Sequence, residues 1–314
     1  MRKFGGAAPA PGPVAITGAT GFLGSHIASH LRSAAQAVRG VVRNPSRGRW
    51  LQGLGVELAP ADLGAPEALT AAFAGAGALV ANAALGSKLG NLDDFVRTNV
   101  AGTENTLRAA AAAGVHRVVL ISSVAVYRTR VRTFQGEDSE RYGHRKRPFV
   151  WSDLTTDWRY AMTKCIAEDR ALALAAELGL ALTVLRPGPI YGSRDSRWTS
   201  RLLGYHGRGF MLAPTVGVPM VHAGDVAAAV AGALSNPASV GRAYNLAGPP
   251  RTLPLLLGEL RRLSGRGPLV MPVPVPLWVG YDTAAAERDL GFRSRPLEEG
   301  LREVLAGLAA GGDA

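Results

Sequence analysis

Thr17-Gly18-Ala19-Thr20-Gly21-Phe22-Leu23-Gly24 follows directly on an apolar run, 14–16, and opens a helical pattern over 25–31. A strand that turns through glycines into a helix N-terminus is a typical phosphate site, because the backbone can come close and unpaired amides favour negative charge. Such a match also occurs in incidental loops, so its meaning depends on the rest of the chain. We expect a dinucleotide to contact Gly18, Thr20, Gly21, Phe22, Leu23 and Gly24.

The residue that ends the second predicted strand, 37–42, indicates which dinucleotide binds. An acidic residue about 20 positions beyond the glycines holds the ribose 2′-hydroxyl of NAD, whereas arginine there accommodates the 2′-phosphate of NADP. In this chain Arg43 stands there, and Arg47 follows one helical turn later. Both arginines can also be read as solvated loop charges. We expect NADP(H) as the favoured cofactor, with NAD(H) still possible.

Composition limits the class of protein. The chain has 314 residues, a formal net charge of +11 and one cysteine, Cys165, so no internal disulfide framework can form. The positive charge suits an anionic ligand, but no basic stripe is interleaved with aromatic residues as a single-strand groove requires. We therefore expect no nucleic-acid partner. The first residues lack the apolar region of a secretory signal, and no apolar tract is long enough to span a bilayer. We expect a flexible leader over 1–12, a cytoplasmic location and no membrane or metal site.

Apolar runs alternate with helical patterns over the first two thirds of the chain, and such alternation predicts a parallel sheet covered on both faces. The predicted fold class is α/β, a Rossmann-type doubly wound parallel sheet with a small C-terminal substrate-binding lobe. We assign 13–186 to the NAD(P)-binding domain, with 222–247 returning to it. The proline-punctuated segments 187–221 and 248–314 are assigned to the lobe, which we expect to lie over the crevice at the carboxyl ends of the strands.

Tyr160 and Lys164 lie four residues apart in a predicted helix, 158–178, and therefore share a face. A tyrosine phenol ordinarily has a pKa near 10, and a neighbouring cation lowers it by roughly one to three units. Tyr160 is thus a candidate general acid/base, although a Tyr–Lys pair is more often a surface pair. Ser123 follows the strand predicted over 117–122, where a hydroxyl can hydrogen-bond a substrate oxygen or simply satisfy a turn.

The chain resembles the extended short-chain dehydrogenase/reductases, the group that includes NAD-dependent epimerases and dehydratases. The resemblance covers about 13–308 and rests on eight motifs in the family's order. They are Thr-Gly-X-X-Gly-Phe-Leu-Gly at 17–24, Asp62-Leu63, Asn99-Val100-Ala101-Gly102-Thr103, Ser122-Ser123 with Val126-Tyr127, Tyr160-X-X-X-Lys164, Arg186-Pro187-Gly188-Pro189-Ile190-Tyr191-Gly192, Val221-His222-Ala223-Gly224-Asp225-Val226-Ala227 and Glu287-Arg288-Asp289-Leu290-Gly291-Phe292.

The resemblance implies a role for each matched residue. Ser123 resembles the substrate-orienting hydroxyl, Tyr160 the acid/base, and Lys164 the group that tunes it and binds the nicotinamide ribose. Further cofactor contacts are implied for Asp62 and Leu63 at the adenine, Pro187 and Ile190 at the nicotinamide, and for Ala83 and Asn99. Ala81 stands where the family often has a histidine. Family members commonly dimerise through helices like those predicted over 92–113 and 158–178, so a homodimer is expected.

These observations predict an NADP-dependent oxidoreductase that moves a hydride between nicotinamide and a carbonyl or alcohol of a small molecule. One alternative is a nucleotide-sugar epimerase or dehydratase with tightly bound NAD, for which Arg201, Arg208 and Arg251 are candidate diphosphate contacts. Another is a non-catalytic NADP-binding sensor or scaffold. The long segment 128–157 carries the basic run 144–147, which is either a solvated loop or a cover over an anionic or bulky substrate.

Overall fold

The computed structural model describes residues 11–86, 90–128, 130–145, 157–195, 198–205, 207–275 and 277–310. Seven strands form one parallel sheet in the order β12-β7-β5-β4-β1-β2-β3. They are β1 (Val14–Thr17), β2 (Val38–Val42), β3 (Glu57–Pro60), β4 (Ala78–Ala81), β5 (Arg117–Ile121), β7 (Ala181–Pro187) and β12 (Ala243–Leu246). The Rossmann-type parallel sheet that the sequence predicts is therefore confirmed.

The helices on the two faces of the sheet and in the C-terminal part are α1 (Phe22–Ser33), α2 (Arg49–Gln52), α3 (Pro66–Phe73), α4 (Leu92–Phe95), α5 (Gly102–Ala112), α6 (Trp158–Leu178), α7 (Trp198–Leu203), α8 (Ala223–Ser235), α9 (Leu253–Ser264), α10 (Ala284–Leu290) and α11 (Leu297–Ala310). Short strands pair outside the main sheet: β6 (Phe134–Gln135) with β15 (Gly280–Tyr281), β8 (Ile190–Tyr191) with β11 (Val221–His222), β9 (Phe210–Pro214) with β14 (Leu269–Val273), and β10 (Gly217–Val218) with β13 (Arg251–Thr252). Among the described residues, no helix is both long and apolar enough to cross a bilayer.

Side chains alternate between the two faces of the sheet, as the two-residue period of a strand requires. Ile16 and Val80 lie in a core cluster with residues of α1 and α8, whereas Ala15 and Leu79 lie in a second cluster with residues of α3, α5 and α6. A separate cluster joins α9 and α11 beyond the sheet. The division of the chain into two domains stays a prediction, although β12 lies within the main sheet as the segment 222–247 predicts.

The predicted helix over 92–113 is interrupted. A π-helical turn over Val96–Ala101 separates α4 from α5 and carries the buried Asn99. Such turns insert an extra residue into the helical repeat and are frequent at functional sites. Residue spacing does not reveal them, because the flanking segments keep ordinary helical patterns.

The sheet order places β1 between β2 and β4, so the chain crosses over at the end of β1. Ligands of open α/β sheets bind in the crevice beside such a crossover, outside the carboxyl ends of the strands. The glycine-rich segment begins at this end of β1, and Ser122 and Ser123 follow the same end of β5. The fold therefore gathers the separate sequence motifs at one edge of the sheet.

Candidate active site

The glycine-rich loop fits a pyrophosphate. Gly18 has φ +68°, a conformation that side chains rarely adopt, and a Cβ there would lie 3.0 Å from the Ala83 Cα atom. A Cβ on Gly24 would overlap the Gly18 carbonyl oxygen, which accepts a hydrogen bond from the Gly21 N–H at 3.0 Å. No side chain among the described residues caps the N-terminus of α1. The first-turn amides can therefore face an anion.

Ala83 is held against this loop by the hydroxyl of Thr17. The Thr17 Oγ1 atom accepts hydrogen bonds from the backbone N–H groups of Asn82, at 3.0 Å, and Ala83, at 3.1 Å. These bonds join the carboxyl ends of β1 and β4. The structure thus brings Ala83 beside Gly18, where a cofactor contact is predicted.

Arg43 is exposed directly after β2, and Arg47 is exposed on the 3₁₀ turn over Pro45–Gly48. That turn begins because the Asn44 side chain accepts a hydrogen bond from the Ser46 N–H at 3.0 Å. Asp62 follows the end of the neighbouring strand β3, and its Oδ1 atom accepts a hydrogen bond from the Gly64 N–H at 2.8 Å. Arg43 and Asp62 therefore lie at the same edge of the sheet.

Tyr160 and Lys164 occupy the first two turns of α6, which is capped by the Asp157 side chain. The ring of Tyr160 is half-buried and meets the ring of Phe95 edge-on, with centroids 6.3 Å apart. Lys164 is buried, and its ammonium donates a hydrogen bond to the Ile121 carbonyl at 2.8 Å. Burial lowers the pKa of Lys164 to about 8, although the nearby Glu168 carboxylate acts in the opposite direction. The lysine is therefore mostly charged at neutral pH.

Ser123 stands at the carboxyl end of β5, one residue beyond Ser122, and is half-buried. Its Oγ atom accepts a hydrogen bond from the Ala125 N–H at 3.1 Å and so caps the 3₁₀ turn over Val124–Val126. Ser123 thus stabilises a turn, which was one of the two roles considered for it. Because its oxygen accepts this bond, the hydroxyl proton can still be donated to a substrate oxygen.

Asn99 links the segment after β4 to α6. Its Oδ1 atom accepts a hydrogen bond from the Leu85 N–H at 2.7 Å, and its amide donates to the Leu85 carbonyl at 3.2 Å. The same amide lies 3.5 Å from the Thr163 hydroxyl. The polar atoms of the Asn99 side chain are thus hydrogen-bonded within the protein. The cofactor contact that the resemblance implies for Asn99 stays a prediction.

The remaining predicted cofactor contacts lie on β7, on β8 and shortly after β3. Pro187 is buried as the last residue of β7, and Ile190 is half-buried on β8. Leu63 is half-buried, and its carbonyl accepts a hydrogen bond from the Asn105 side chain at 2.9 Å. Among the candidate diphosphate arginines, Arg201 and Arg208 are exposed and Arg251 is half-exposed.

The described part of the segment 128–157 is attached to the rest of the molecule. Its strand β6 pairs with β15, and His144 contacts the Asp169 carboxylate on α6 at 2.5 Å. Cys165 also lies beside this pair, and the potential ligand atoms of the three residues are within 4.8 Å of one another. Asp169 is also ion-paired with Arg141. Lys146 and Arg147 of the basic run lie outside the described residues.

Glu168 was not predicted from the sequence as a functional residue, and it lies on the same face of α6 as Tyr160 and Lys164. It is completely buried and bonded to Arg186 of β7. The signal was present, because Glu168 follows Lys164 by four residues and so continues the face shared by Tyr160 and Lys164. A carboxylate in a helix is usually solvated, however, and only the tertiary structure shows that this one is enclosed.

Comparison with known proteins agrees with this architecture. The model of the NAD dependent epimerase/dehydratase family matches residues 14–247. A 2-alkyl-3-oxoalkanoate reductase of Stenotrophomonas maltophilia is 34% identical over 191 residues, which are 60% of this chain and 54% of that protein. This match therefore spans about half the length of the relative. Cinnamoyl-CoA reductase 1 of Oryza sativa subsp. japonica is 30% identical over 93% of this chain and 89% of its own length.

The solved structure of MoeE5 in complex with UDP-glucose and NAD is 26% identical to this chain, with a TM-score of 0.77. The match covers 96% of this chain and 100% of that one. The names of these two relatives describe reductases, and the solved structure contains NAD. The family resemblance that the motifs predict is confirmed.

Proposed function

Because the chain belongs to the NAD-dependent epimerase/dehydratase family, we propose that it is an NADP-dependent reductase of small carbonyl compounds with Tyr160 as the general acid/base. The observation that carries this proposal is the placement of Lys164. Its ammonium is buried beneath the start of α6 and bonded to the end of β5, between the elements that carry Tyr160 and Ser123. The reverse reaction, oxidation of an alcohol, uses the same residues.

The chemistry divides between cofactor and protein. A nicotinamide held in this site would supply a hydride to the carbonyl carbon of the substrate. Tyr160 gives its phenolic proton to the carbonyl oxygen, so that hydride and proton together convert C=O into CH–OH. Ser123 donates its hydroxyl proton as a hydrogen bond to the same oxygen and stabilises the negative charge that develops there. Lys164 favours the phenolate form of Tyr160 by its positive charge.

The NADP preference is supported by the exposed Arg43 and Arg47 at the carboxyl edge of β2. An arginine–phosphate contact is charge-assisted and frequently bidentate. The glycine-rich loop, Asp62, Leu63, Ala83, Asn99, Pro187 and Ile190 complete the proposed cofactor site. A carboxylate at the position of Arg43 would instead suit the 2′-hydroxyl of NAD.

Replacing Tyr160 tests the mechanism. The Tyr160→Phe variant should turn over carbonyl substrates at least about 100-fold more slowly, since general acid/base groups contribute about 10²–10⁴-fold. Its affinity for NADPH should stay close to that of the wild type. The substrate is first found by following NADPH oxidation with a panel of 3-oxoalkanoates and acyl-CoA thioesters, the compound classes in the names of two relatives. Normal turnover by the variant would refute the assignment of Tyr160.

A nucleotide-sugar epimerase or dehydratase is the second candidate, because the similarity to MoeE5 with UDP-glucose and NAD extends over nearly the whole chain. In that case Arg201, Arg208 and Arg251 are the candidate contacts to the diphosphate. Such an enzyme returns its cofactor to the starting redox state within each turnover and so consumes no NADPH overall. Mass and absorbance of the nucleotide that copurifies, together with net consumption of NADPH, distinguish the two enzymes. A protein with neither activity would favour the NADP-binding sensor or scaffold.

The proposal also includes a cytoplasmic location and a homodimer formed through the helical segments 92–113 and 158–178. Light scattering of the purified protein measures the oligomeric state. Substitution of exposed residues on α6, such as Leu172, would weaken a dimer formed through that helix.

A further inference from the structure

Glu168 is the third residue of one helical face. Tyr160, Lys164 and Glu168 follow each other at intervals of four residues on α6, so their side chains project from the same side. The Glu168 side chain is 0% exposed. A carboxylate is almost never fully buried unless it is paired, and the protein supplies the partners here from three other segments.

Those partners surround both carboxylate oxygens. The Ser122 hydroxyl donates a hydrogen bond to Oε2 at 2.5 Å. The Arg186 guanidinium donates to Oε1 from Nη2 at 2.6 Å and from Nε at 3.2 Å. The Arg141 Nη2 atom lies 3.3 Å from Oε1. Glu168 therefore accepts hydrogen bonds from the end of β5 and from β7, and forms an ion pair with the segment 128–157.

Two bonds tie the last residue of β5 and the residue after it to successive turns of α6. Lys164 donates to the carbonyl of Ile121 at 2.8 Å, and Ser122 donates to Glu168. Ser123 is the next residue of the chain. Tyr160 lies on the same helix as Lys164 and Glu168. The two side-chain bonds therefore help to fix the position of Ser123 relative to Tyr160.

The charges around Lys164 give Glu168 a second effect. The Glu168 carboxylate favours the charged form of Lys164, against the effect of burial. Arg186 also donates to the Tyr127 hydroxyl at 2.6 Å and to the Glu137 carbonyl at 2.9 Å. Burial raises the pKa of Tyr127 to about 12, so this phenol stays neutral. Glu168 is the carboxylate that acts on the buried Lys164.

We propose that Glu168 is a positioning residue, which keeps the Lys164 ammonium charged and fixes the end of β5 that carries Ser123. Glu168 does not touch the substrate in this proposal and acts through its neighbours. The inference rests on the proposed function for its catalytic consequence. Its effect on Lys164, however, is measurable without any reaction.

The composition of the chain makes that measurement practical. The sequence contains only four lysines, Lys3, Lys88, Lys146 and Lys164. In protein labelled with ¹³C at the lysine Cε position, a pH titration followed by NMR should show one signal with a pKa near 8 for Lys164. Loss of this signal in the Lys164→Met variant assigns it. In the Glu168→Gln variant the pKa of Lys164 should fall by at least about one unit, because its stabilising carboxylate is gone.

Activity of the NADPH-loaded enzyme supplies a second readout. Charged Lys164 is required in the proposed mechanism, so kcat/KM should fall as pH rises through the pKa of Lys164. The alkaline limb should move to lower pH by about one unit or more in Glu168→Gln. Ser122→Ala removes a hydrogen bond without removing charge, and should lower kcat equally at every pH. Glu168→Asp keeps a carboxylate, so the alkaline limb of its kcat/KM profile should lie closer to that of the wild type than the limb of Glu168→Gln does. Glu177→Gln, at an exposed position on the same helix, is the matched control and should change neither readout.

The outcomes separate the two proposals. An unchanged pKa of Lys164 in folded Glu168→Gln overturns the inference. A lowered pKa with an unmoved activity limb supports the effect of Glu168 on Lys164 and refutes the role of Lys164 in the proposed function. If the single variant does not fold, because Arg186 is left buried without its carboxylate, the double variant Glu168→Gln/Arg186→Gln removes both charges. It should still lower the pKa of Lys164, and an unchanged value there overturns the inference as well.

Discussion

Substitution of Gly24 by alanine should both destabilise the protein and weaken cofactor binding. The added Cβ would overlap the Gly18 carbonyl oxygen and would lie 2.9 Å from the Asn82 Nδ2 atom. Overpacking costs about 1–3 kcal/mol. We expect the upper part of this range, because the carbonyl oxygen of a tight loop can move little. The gain from replacing a helical glycine is only about 0.5–1 kcal/mol. We therefore expect a net loss of about 2 kcal/mol in the free energy of unfolding.

The same substitution should act on the ligand. The Gly18 oxygen accepts the Gly21 N–H at 3.0 Å, so displacing it moves the amides that face the pyrophosphate. A loss of about 1.4 kcal/mol in binding corresponds to tenfold in Kd, and we expect at least that for NADPH. Urea unfolding without nucleotide measures the first effect, and isothermal titration with NADPH measures the second.

Two other glycines provide matched controls. A Cβ on Gly232 would overlap the Leu290 carbonyl oxygen, between α8 and α10 and away from the glycine-rich loop. Gly232→Ala should lower stability to a similar degree without changing the Kd for NADPH. Gly258 lies exposed within α9 with nothing near its Cβ position, so Gly258→Ala should stabilise the protein by about 0.5–1 kcal/mol. A Gly24→Ala variant with wild-type stability and wild-type Kd would refute the reasoning.

Two further predictions concern charge. Arg43→Ala should reduce the preference for NADPH over NADH chiefly by weakening the binding of NADPH. We expect a loss of about one to two decades in affinity, since a charge-assisted hydrogen bond contributes about 1.5–3 kcal/mol. Equal affinities of the wild-type protein for NADPH and NADH, measured by isothermal titration, would contradict the NADP assignment. His222 should make the protein acid-sensitive: its side chain is 0% exposed, and burial, with Arg295 and His26 nearby, lowers its pKa to about 3. The unfolded chain, with a pKa near 6.5, then binds the extra proton, so stability is full above about pH 6.5 and falls by about 1.4 kcal/mol per pH unit below it. His222→Asn keeps a side-chain acceptor for the Gly224 N–H that His222 caps and should flatten this slope in urea unfolding from pH 7 to 4; an unaltered slope would assign the acid sensitivity to other groups.

Local patterns along the chain were sufficient to predict the parallel sheet and several of its helices. The bounds of α6 agree with the helix predicted over 158–178, and β2 and β5 lie within one residue of the strands predicted over 37–42 and 117–122. Hydrophobic period and glycine or proline punctuation are local signals. The glycine-rich segment and the Tyr160–Lys164 interval are local too. Arg43 was found at the end of its strand by position alone.

Which groups are enclosed together became visible in the folded structure alone. Asn99 of the π-helical turn is bonded to Leu85, and the hydroxyl of Thr17 joins two strands that are distant in sequence. Glu168 reads as an ordinary helical carboxylate until β5, β7 and the segment 128–157 close around it. Charge and solvation depend on all neighbours in space, whereas a sequence pattern reports only those along the chain. The pKa of Lys164, lowered by burial and restored in part by Glu168, is therefore a property of the fold.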